Sequence, residues 1–212
     1  MKNIHDELQH LIIGNGQVGN PGQLKKTQNF LRRNAQTGFG TEKQKPLKDE
    51  EKTHLIEFAH NENLFYQDEI LESNFISAGA EQKVYRFDDF HVIKINDSIF
   101  YEYWLDYFNS LLIHNYFFQS TAYDFEGFKI IDDTLYAVVK QDFIKASEPT
   151  DMNAVKQFLE FNRFMNTRNN DYLNTELGLI FEDIHDENVL SKNKVFYFID
   201  TIFYLTPDFY RK

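Results

Sequence analysis

Four acids crowd six positions (Glu182, Asp183, Asp186 and Glu187), with Leu179, Ile180 and Phe181 before them and Val189 and Leu190 after. This stretch constrains the fold most: the apolar flanks must be buried, so the acids between them must form a loop joining buried strands. A second apolar run, Phe196 to Ile199, ends on Asp200. A carboxylate at the end of a buried strand is costly unless a cation meets it. Asp183 and Asn188 stand five positions apart in the loop. Phosphoryl transfer needs one carboxylate to orient the attacking hydroxyl. It also needs a carboxamide and a second carboxylate to hold Mg²⁺ on the phosphates. The spacing assigns Asp183 as catalytic and Asn188 and Asp200 as metal ligands. The plainer reading is a solvated acidic turn, which the buried flanks disfavour. His185 has no second His at ligand spacing and the chain has no Cys, so zinc is not expected. The ring is predicted to make loop hydrogen bonds or to meet a phosphate.

Upstream, the periodicity predicts a helix over 49–66, strands over 70–76, 82–87 and 91–95, a strongly aromatic helix over 99–118, and a hairpin from 125–131 and 135–139. The class is α+β, with a five-stranded antiparallel sheet and one helix. Ser77, Ala78, Gly79 and Ala80 make a small-residue turn between the first two strands, where backbone N–H groups can approach phosphates. Gly79 and Ala80 are therefore cofactor-binding candidates, though a lone Gly in a hairpin is commonly just a turn. Val84 would face an adenine. Lys94 sits inside an apolar strand and, if inward, reaches the α- and β-phosphates; a solvent-facing Lys is the plain alternative. Glu102, on the following helix, is the predicted carboxylate partner, with Asp106 one turn on as the alternative. The connector Lys140 to Phe143 can offer backbone groups to the adenine edge, with Gln141 as candidate.

The 212 residues suit one domain, or one two-lobed domain with an appendage. Residues 1–50 hold most of the nine glycines among Asn, Gln and Lys. They read as a flexible or loosely attached leader, with a segment packed on the domain as the alternative, and with short helices at 6–13 and 24–33. The 22 Phe and 12 Tyr supply a core, and an aromatic stripe such as 100–118 is more often core than interface. The net charge of −11 opposes bulk binding to nucleic acid or an anionic membrane, yet a local Lys and Mg²⁺ still permit ATP. Without cysteines there are no disulfides, thiolate metal sites or Cys nucleophiles. No apolar run approaches a membrane span and the start lacks a secretory pattern, so a cytoplasmic protein is the default. After a polar joint at 145–150, Thr150 or Asp151 can cap a helix from Met152 to about Met165. A polar loop over 168–175 and strands at 177–181 and 195–199 follow.

In this order the motifs resemble the protein kinase fold. Gly79 to Tyr85 is similar to the glycine-rich loop, Lys94 in Val-Ile-Lys to the strand lysine, and Asp183-x-x-x-x-Asn188-Val-Leu to the catalytic loop. Ile199-Asp200 is similar to the start of the D-F-G element. More narrowly, the chain resembles the compact serine/threonine/tyrosine kinase-like domain of polyvalent proteins, encoded by phages and mobile elements, over about Glu50 to Leu205. The resemblance implies a two-lobed kinase-like fold, with the leader over 1–50, the N-lobe over 51–145 and a reduced helical C-lobe over 146–212. It implies an ATP- and Mg²⁺-dependent phosphotransferase acting on protein hydroxyls. Three site groups, an ammonium and two carboxylates, would then close around one triphosphate and its magnesium.

The departures bear on regulation. Phe181 and Glu182 stand where H-R-D has His and Arg, so a phosphorylated activation loop has no receiver. Thr201 and Ile202 replace Phe-Gly. Twelve residues follow Asp200, without an A-P-E element or room for the usual helical subdomain. Four alternatives stay open: a pseudokinase scaffold, a small-molecule kinase, AMP transfer, and a purely structural interaction domain. The substrate and the oligomeric state have no signal in the sequence.

Overall fold

The computed structural model describes residues 2–14, 22–37, 48–79 and 82–211. In chain order its helices and strands are α1 (Lys2–Ile13), α2 (Gln23–Thr37), α3 (Lys48–Asn61), β1 (Phe75–Ala78), β2 (Gln82–Arg86), β3 (His91–Asn96), α4 (Trp104–Phe117), β4 (Asp124–Ile131), β5 (Thr134–Asp142), α5 (Met152–Phe161), β6 (Met165–Arg168), β7 (Asp171–Asn174), β8 (Leu179–Glu182), β9 (Val189–Lys192), β10 (Val195–Phe198) and β11 (Ile202–Leu205). The described residues fall into two compact units. One lies within Gln17–Phe108 and Tyr123–Phe143, the other within Met1–Gly16, Asn109–Ala122 and Ile144–Lys212. No described helix is long and apolar enough to cross a membrane.

The first unit holds the five-stranded antiparallel sheet, in the order β1-β2-β3-β5-β4. Its tight turns follow local chemistry. Asp132 and Asp133 both take positive φ, as a two-residue hairpin needs, and the Asp88 carboxylate accepts from the Phe90 and His91 amides at 2.7 Å. Tyr85, Ile93, Ile95 and Val138 form the core of one face. Strand alternation therefore turns Lys94 to the opposite face, in register with Val84 on β2 and Val139 on β5. On that face Phe125 and Phe128 meet the rings of Phe108 and Trp104 edge-on or tilted, at 5.2–6.1 Å. The aromatic start of α4 is core, as its composition suggests.

Local polar groups also move α4. The helix predicted from Ile99 begins at Trp104, because Asn96 Oδ1 accepts from the Ser98 amide and Asp97 Oδ1 from the Ile99 amide. These two Asx-type turns, with Ser98 at positive φ, hold 97–103 out of the helix. The strand predicted over 70–76 is likewise shorter: a 3₁₀ turn at Glu72–Asn74 precedes β1.

The second unit corrects the predicted helical C-lobe. Among the described residues after 146 there are six strands and one α-helix, in a two-stranded β9–β10 sheet and a four-stranded sheet of order β11-β8-β7-β6. The predicted polar loop over 168–175 is mostly a hairpin. All four residues of β6 are exposed, so no apolar alternation marks it in the sequence. Asp151 caps α5, accepting from the Asn153 and Ala154 amides, while Thr150 Oγ1 donates to the Val189 carbonyl at 2.6 Å. The helix stops at Phe161, before Arg163 at φ 65°. The core is aromatic: Phe181 stacks on Phe203 at 4.2 Å and Phe118 on Phe198 at 4.4 Å.

The N-terminal helices are longer than predicted and packed. α1 buries Leu8 and Ile12 and donates from Gln9 Nε2 to the Phe209 carbonyl at 2.6 Å; in the first unit Phe30 of α2 stacks on Phe58 of α3 at 4.1 Å. The glycine-containing linkers predicted within the leader lie largely outside the described residues.

Candidate active site

The candidate residues belong to both units, and each set has its own scaffold. In the second unit, β8 delivers the chain to Asp183, which takes φ 62° and turns it sharply. Apolar burial of Ile184 and its amide bond to the Asn170 carbonyl pin the turn from below. The backbone then folds back, with the amides of Asn188 and Val189 both donating to the His185 carbonyl at 3.0 Å. This brings Asn188 Nδ2 to 2.9 Å from both the Asp183 carbonyl and Asp183 Oδ2. The Asn188 carbonyl also accepts from the Ile199 amide at 2.9 Å, so the residue before Asp200 is tied to the loop. The acidic loop and the end of the apolar run therefore meet through one asparagine.

Around this centre the polar groups are ordered. His185 Nε2 lies 3.3 Å from Asp183 Oδ1 and Nδ1 accepts from the Glu187 amide, which is the loop-bonding role predicted for it. The Glu182 carboxyl is pushed up from the usual range by burial first and by the nearby Asp171 and Asp183 carboxylates, with Arg168 opposing. Asn188, a buried residue, has its Nδ2 engaged by Asp183. Asn188 Oδ1 and the Asp200 carboxylate are hard oxygen donors of the type magnesium takes. Among the described residues no group of three or more His, Asp or Glu could hold a metal by itself. Magnesium does not require one, since it keeps several waters and takes phosphate oxygens to complete its octahedron.

In the first unit, Lys94 is 3% exposed, and its Nζ lies 5.4 Å from the Tyr123 ring centre. The solvent-facing alternative is excluded. Val84 lies directly across the ladder from it. Gly79 precedes β2, its amide donating to the Gln82 carbonyl at 2.9 Å. No atom lies within 4 Å of where a Cβ would stand, and its φ does not require glycine. Its value would lie in open space over the backbone, not in a strained turn. Ala80 lies outside the described residues. Gln141 is not on a connector: β5 continues through Asp142, because the strand stays paired with β3 as far as His91, and the Gln141 side chain is buried. Glu102 sits on the bend before α4, exposed, where its carboxylate accepts from the Tyr103 hydroxyl and pushes that phenol up. Asp106 is in the first turn of α4.

Two features escaped the sequence. Glu51, in the run Asp49-Glu50-Glu51 that reads as a solvated helix start, is 3% exposed and accepts from the Trp104 amide at 2.8 Å, capping α4 from another helix. Lys48 donates to the Ser98 carbonyl and, at 2.7 Å, to the Tyr101 carbonyl, tying α3 to the same bend. In the second unit, Ser110 and Thr121 hold the backbone on both sides of Asp200 and His114 holds the Thr201 side chain. No motif signals any of these; they exist through long-range contacts.

A family described as "Serine/Threonine/Tyrosine Kinase found in polyvalent proteins" matches residues 48–207, more than half of the chain. No curated protein and no solved structure matches the chain.

Proposed function

The chain belongs to the serine/threonine/tyrosine kinase family found in polyvalent proteins, and we propose that it transfers the γ-phosphoryl group of ATP, with Mg²⁺, to a hydroxyl group on a protein. The observation that carries this reading is the bonding of Asn188 to Asp183 at 2.9 Å and to Ile199 at 2.9 Å, which joins the candidate base to the segment bearing the second carboxylate. The proposed architecture is the two-lobed kinase-like arrangement, with its leader, N-lobe and C-lobe near the boundaries read from the sequence.

Asp183 Oδ1 or Oδ2 accepts the proton of the attacking hydroxyl as its oxygen bonds to phosphorus. The bond to the bridging oxygen breaks, and ADP leaves with that electron pair. Asn188 orients Asp183 through Nδ2 and presents Oδ1 to the metal, and Asp200 contributes a carboxylate. Mg²⁺, held by Asn188 and Asp200, would supply charge neutralisation to the triphosphate. Lys94 donates to the α- and β-phosphate oxygens. The turn at Gly79 and Ala80 approaches the phosphates, Val84 offers an apolar face to adenine, and Glu102 or Asp106 supplies the countercharge to Lys94.

The purified chain incubated with Mg-ATP and a protein substrate mixture tests the reading. Intact-mass analysis should show phosphoryl additions and no AMP additions. Asp183→Asn should lower transfer by about 10²–10⁴-fold while ATP binding survives. Undiminished transfer by Asp183→Asn would refute the assignment.

A further inference from the structure

Asp200 is bracketed by side chains more than 75 residues away in sequence. Thr121 Oγ1, fully buried, donates to the Phe198 carbonyl at 2.6 Å. His114, also fully buried, lies with Nε2 2.7 Å from the Thr121 carbonyl and Nδ1 2.7 Å from Thr201 Oγ1. Ser110 Oγ accepts from the Phe203 amide at 2.9 Å and stands 3.5 Å from the Thr201 carbonyl. A carbonyl oxygen can only accept, so the ring hydrogen sits on Nε2. In the neutral ring Nδ1 then accepts from the Thr201 hydroxyl. The chain just before Asp200 is held by Thr121 and Asn188. Just after it, the backbone is held by Ser110, and the Thr201 side chain by His114.

We propose that His114 and Thr201 are positioning residues for Asp200. Their hydrogen bond, anchored through Thr121, holds the segment bearing the carboxylate in one place. This deepens the proposed function and rests on Asp200 being a metal ligand. Where Phe-Gly would follow the aspartate in the D-F-G element, this chain has Thr201 in a closed hydrogen-bonded relay. The relay makes the metal-binding carboxylate a fixed element instead of a mobile one. Groups that orient a ligand from behind are worth about 10–100-fold in metal affinity.

Thr201→Val keeps the side-chain shape and removes the hydroxyl; Thr201→Ser restores it. The readout is the Mg²⁺ concentration giving half of the ATP-induced thermal shift, measured without turnover. For Thr201→Val it should rise by about tenfold or more, with ATP affinity at saturating Mg²⁺ unchanged, and Thr201→Ser should return it to the wild-type value. A lowered melting temperature with an unchanged Mg²⁺ requirement means a purely structural role and overturns the proposal. If Thr201→Val does not fold, His114→Asn replaces it: its Oδ1 can still accept from Thr201 while the anchor on Thr121 is lost, so an unchanged Mg²⁺ requirement again overturns the proposal. Nitrogen-resolved NMR of the wild-type imidazole should show hydrogen on Nε2 and none on Nδ1. A ring protonated on Nδ1 removes the relay whatever the enzyme does. If wild-type protein shows ATP binding that Mg²⁺ does not affect, the metal-ligand reading of Asp200 fails and takes this proposal with it. Mg²⁺-dependent binding that Thr201→Val leaves untouched sinks the positioning role alone.

Discussion

Replacing Phe181 by alanine removes the ring that supports the strand leading into Asp183. Phe181 is 1% exposed. It stacks on Phe203 at 4.2 Å with an interplanar angle of 16° and meets Phe164, Phe198 and Phe118 at 5.8–6.0 Å. Phe203 lies directly opposite it in the β8–β11 ladder, so both rings are held by backbone pairing as well as by each other. Truncating a core phenylalanine costs about 3–5 kcal/mol, and Phe198 and Phe203, held in strands, limit collapse into the hole, which puts the loss near 4 kcal/mol. Against a total stability of about 5–15 kcal/mol this is a large share. Urea denaturation followed by far-UV circular dichroism measures it. Phe181→Leu, which fills most of the space, should lose only about 1.5 kcal/mol. A double-mutant cycle with Phe203→Ala should return a coupling of about 0.5–1.5 kcal/mol for the stacked pair. A Phe181→Ala loss below about 2 kcal/mol, or strict additivity with Phe203→Ala, would refute the claim that this aromatic layer supports the loop bearing Asp183.

Two further outcomes follow from the geometry. The folded-state pKa of Glu182 is raised above the ordinary 4.5, mainly by burial, so the folded protein holds that proton more tightly than the unfolded chain does. The charged carboxylate therefore costs stability above the raised value and costs nothing below 4.5. Glu182→Gln should raise the thermal midpoint at pH 7, and the gain should vanish once pH falls below 4.5; an equal gain at both pH values would contradict the burial argument. Gly79→Ala places a methyl group where nothing lies within 4 Å and no unusual φ is needed. Its stability should stay within about 0.5 kcal/mol of wild type while ATP affinity drops, and unaltered affinity in calorimetry would remove the turn from the phosphate site.

The candidate loop was readable because its determinants are local. Asn188 bonds to both Asp183 and Ile199 within seventeen residues, and Leu179, Phe181 and Val189 beside the acids are buried. The sheet was readable for the same reason, since β4 and β5 form a hairpin over Asp132-Asp133; the face of Lys94 was not, because β3 is buried from Val92 to Asn96 without alternation. The hairpin of β6 and β7 was not readable, because an exposed polar strand has the composition of a loop. The start of α4 was misplaced because the side chains of Asn96 and Asp97 outcompete helix formation there, which an aromatic helical periodicity does not reveal. Gln141 was misassigned to a connector because strand pairing with β3, not sequence, sets where β5 ends.

Residue order alone singles out the candidate groups: a carboxylate and a carboxamide five positions apart, a second carboxylate at the end of an apolar run, and a lysine inside a strand. Chain folding over long separations decides what surrounds them. The buried Glu51 carboxylate caps the start of α4, and His114 of the same helix reaches the Thr201 hydroxyl beside Asp200. Spacing encodes hydrogen bonds within a turn, since the backbone can close them by itself. A bond between residues 87 apart carries no such local trace, because its geometry exists only after the intervening core has formed.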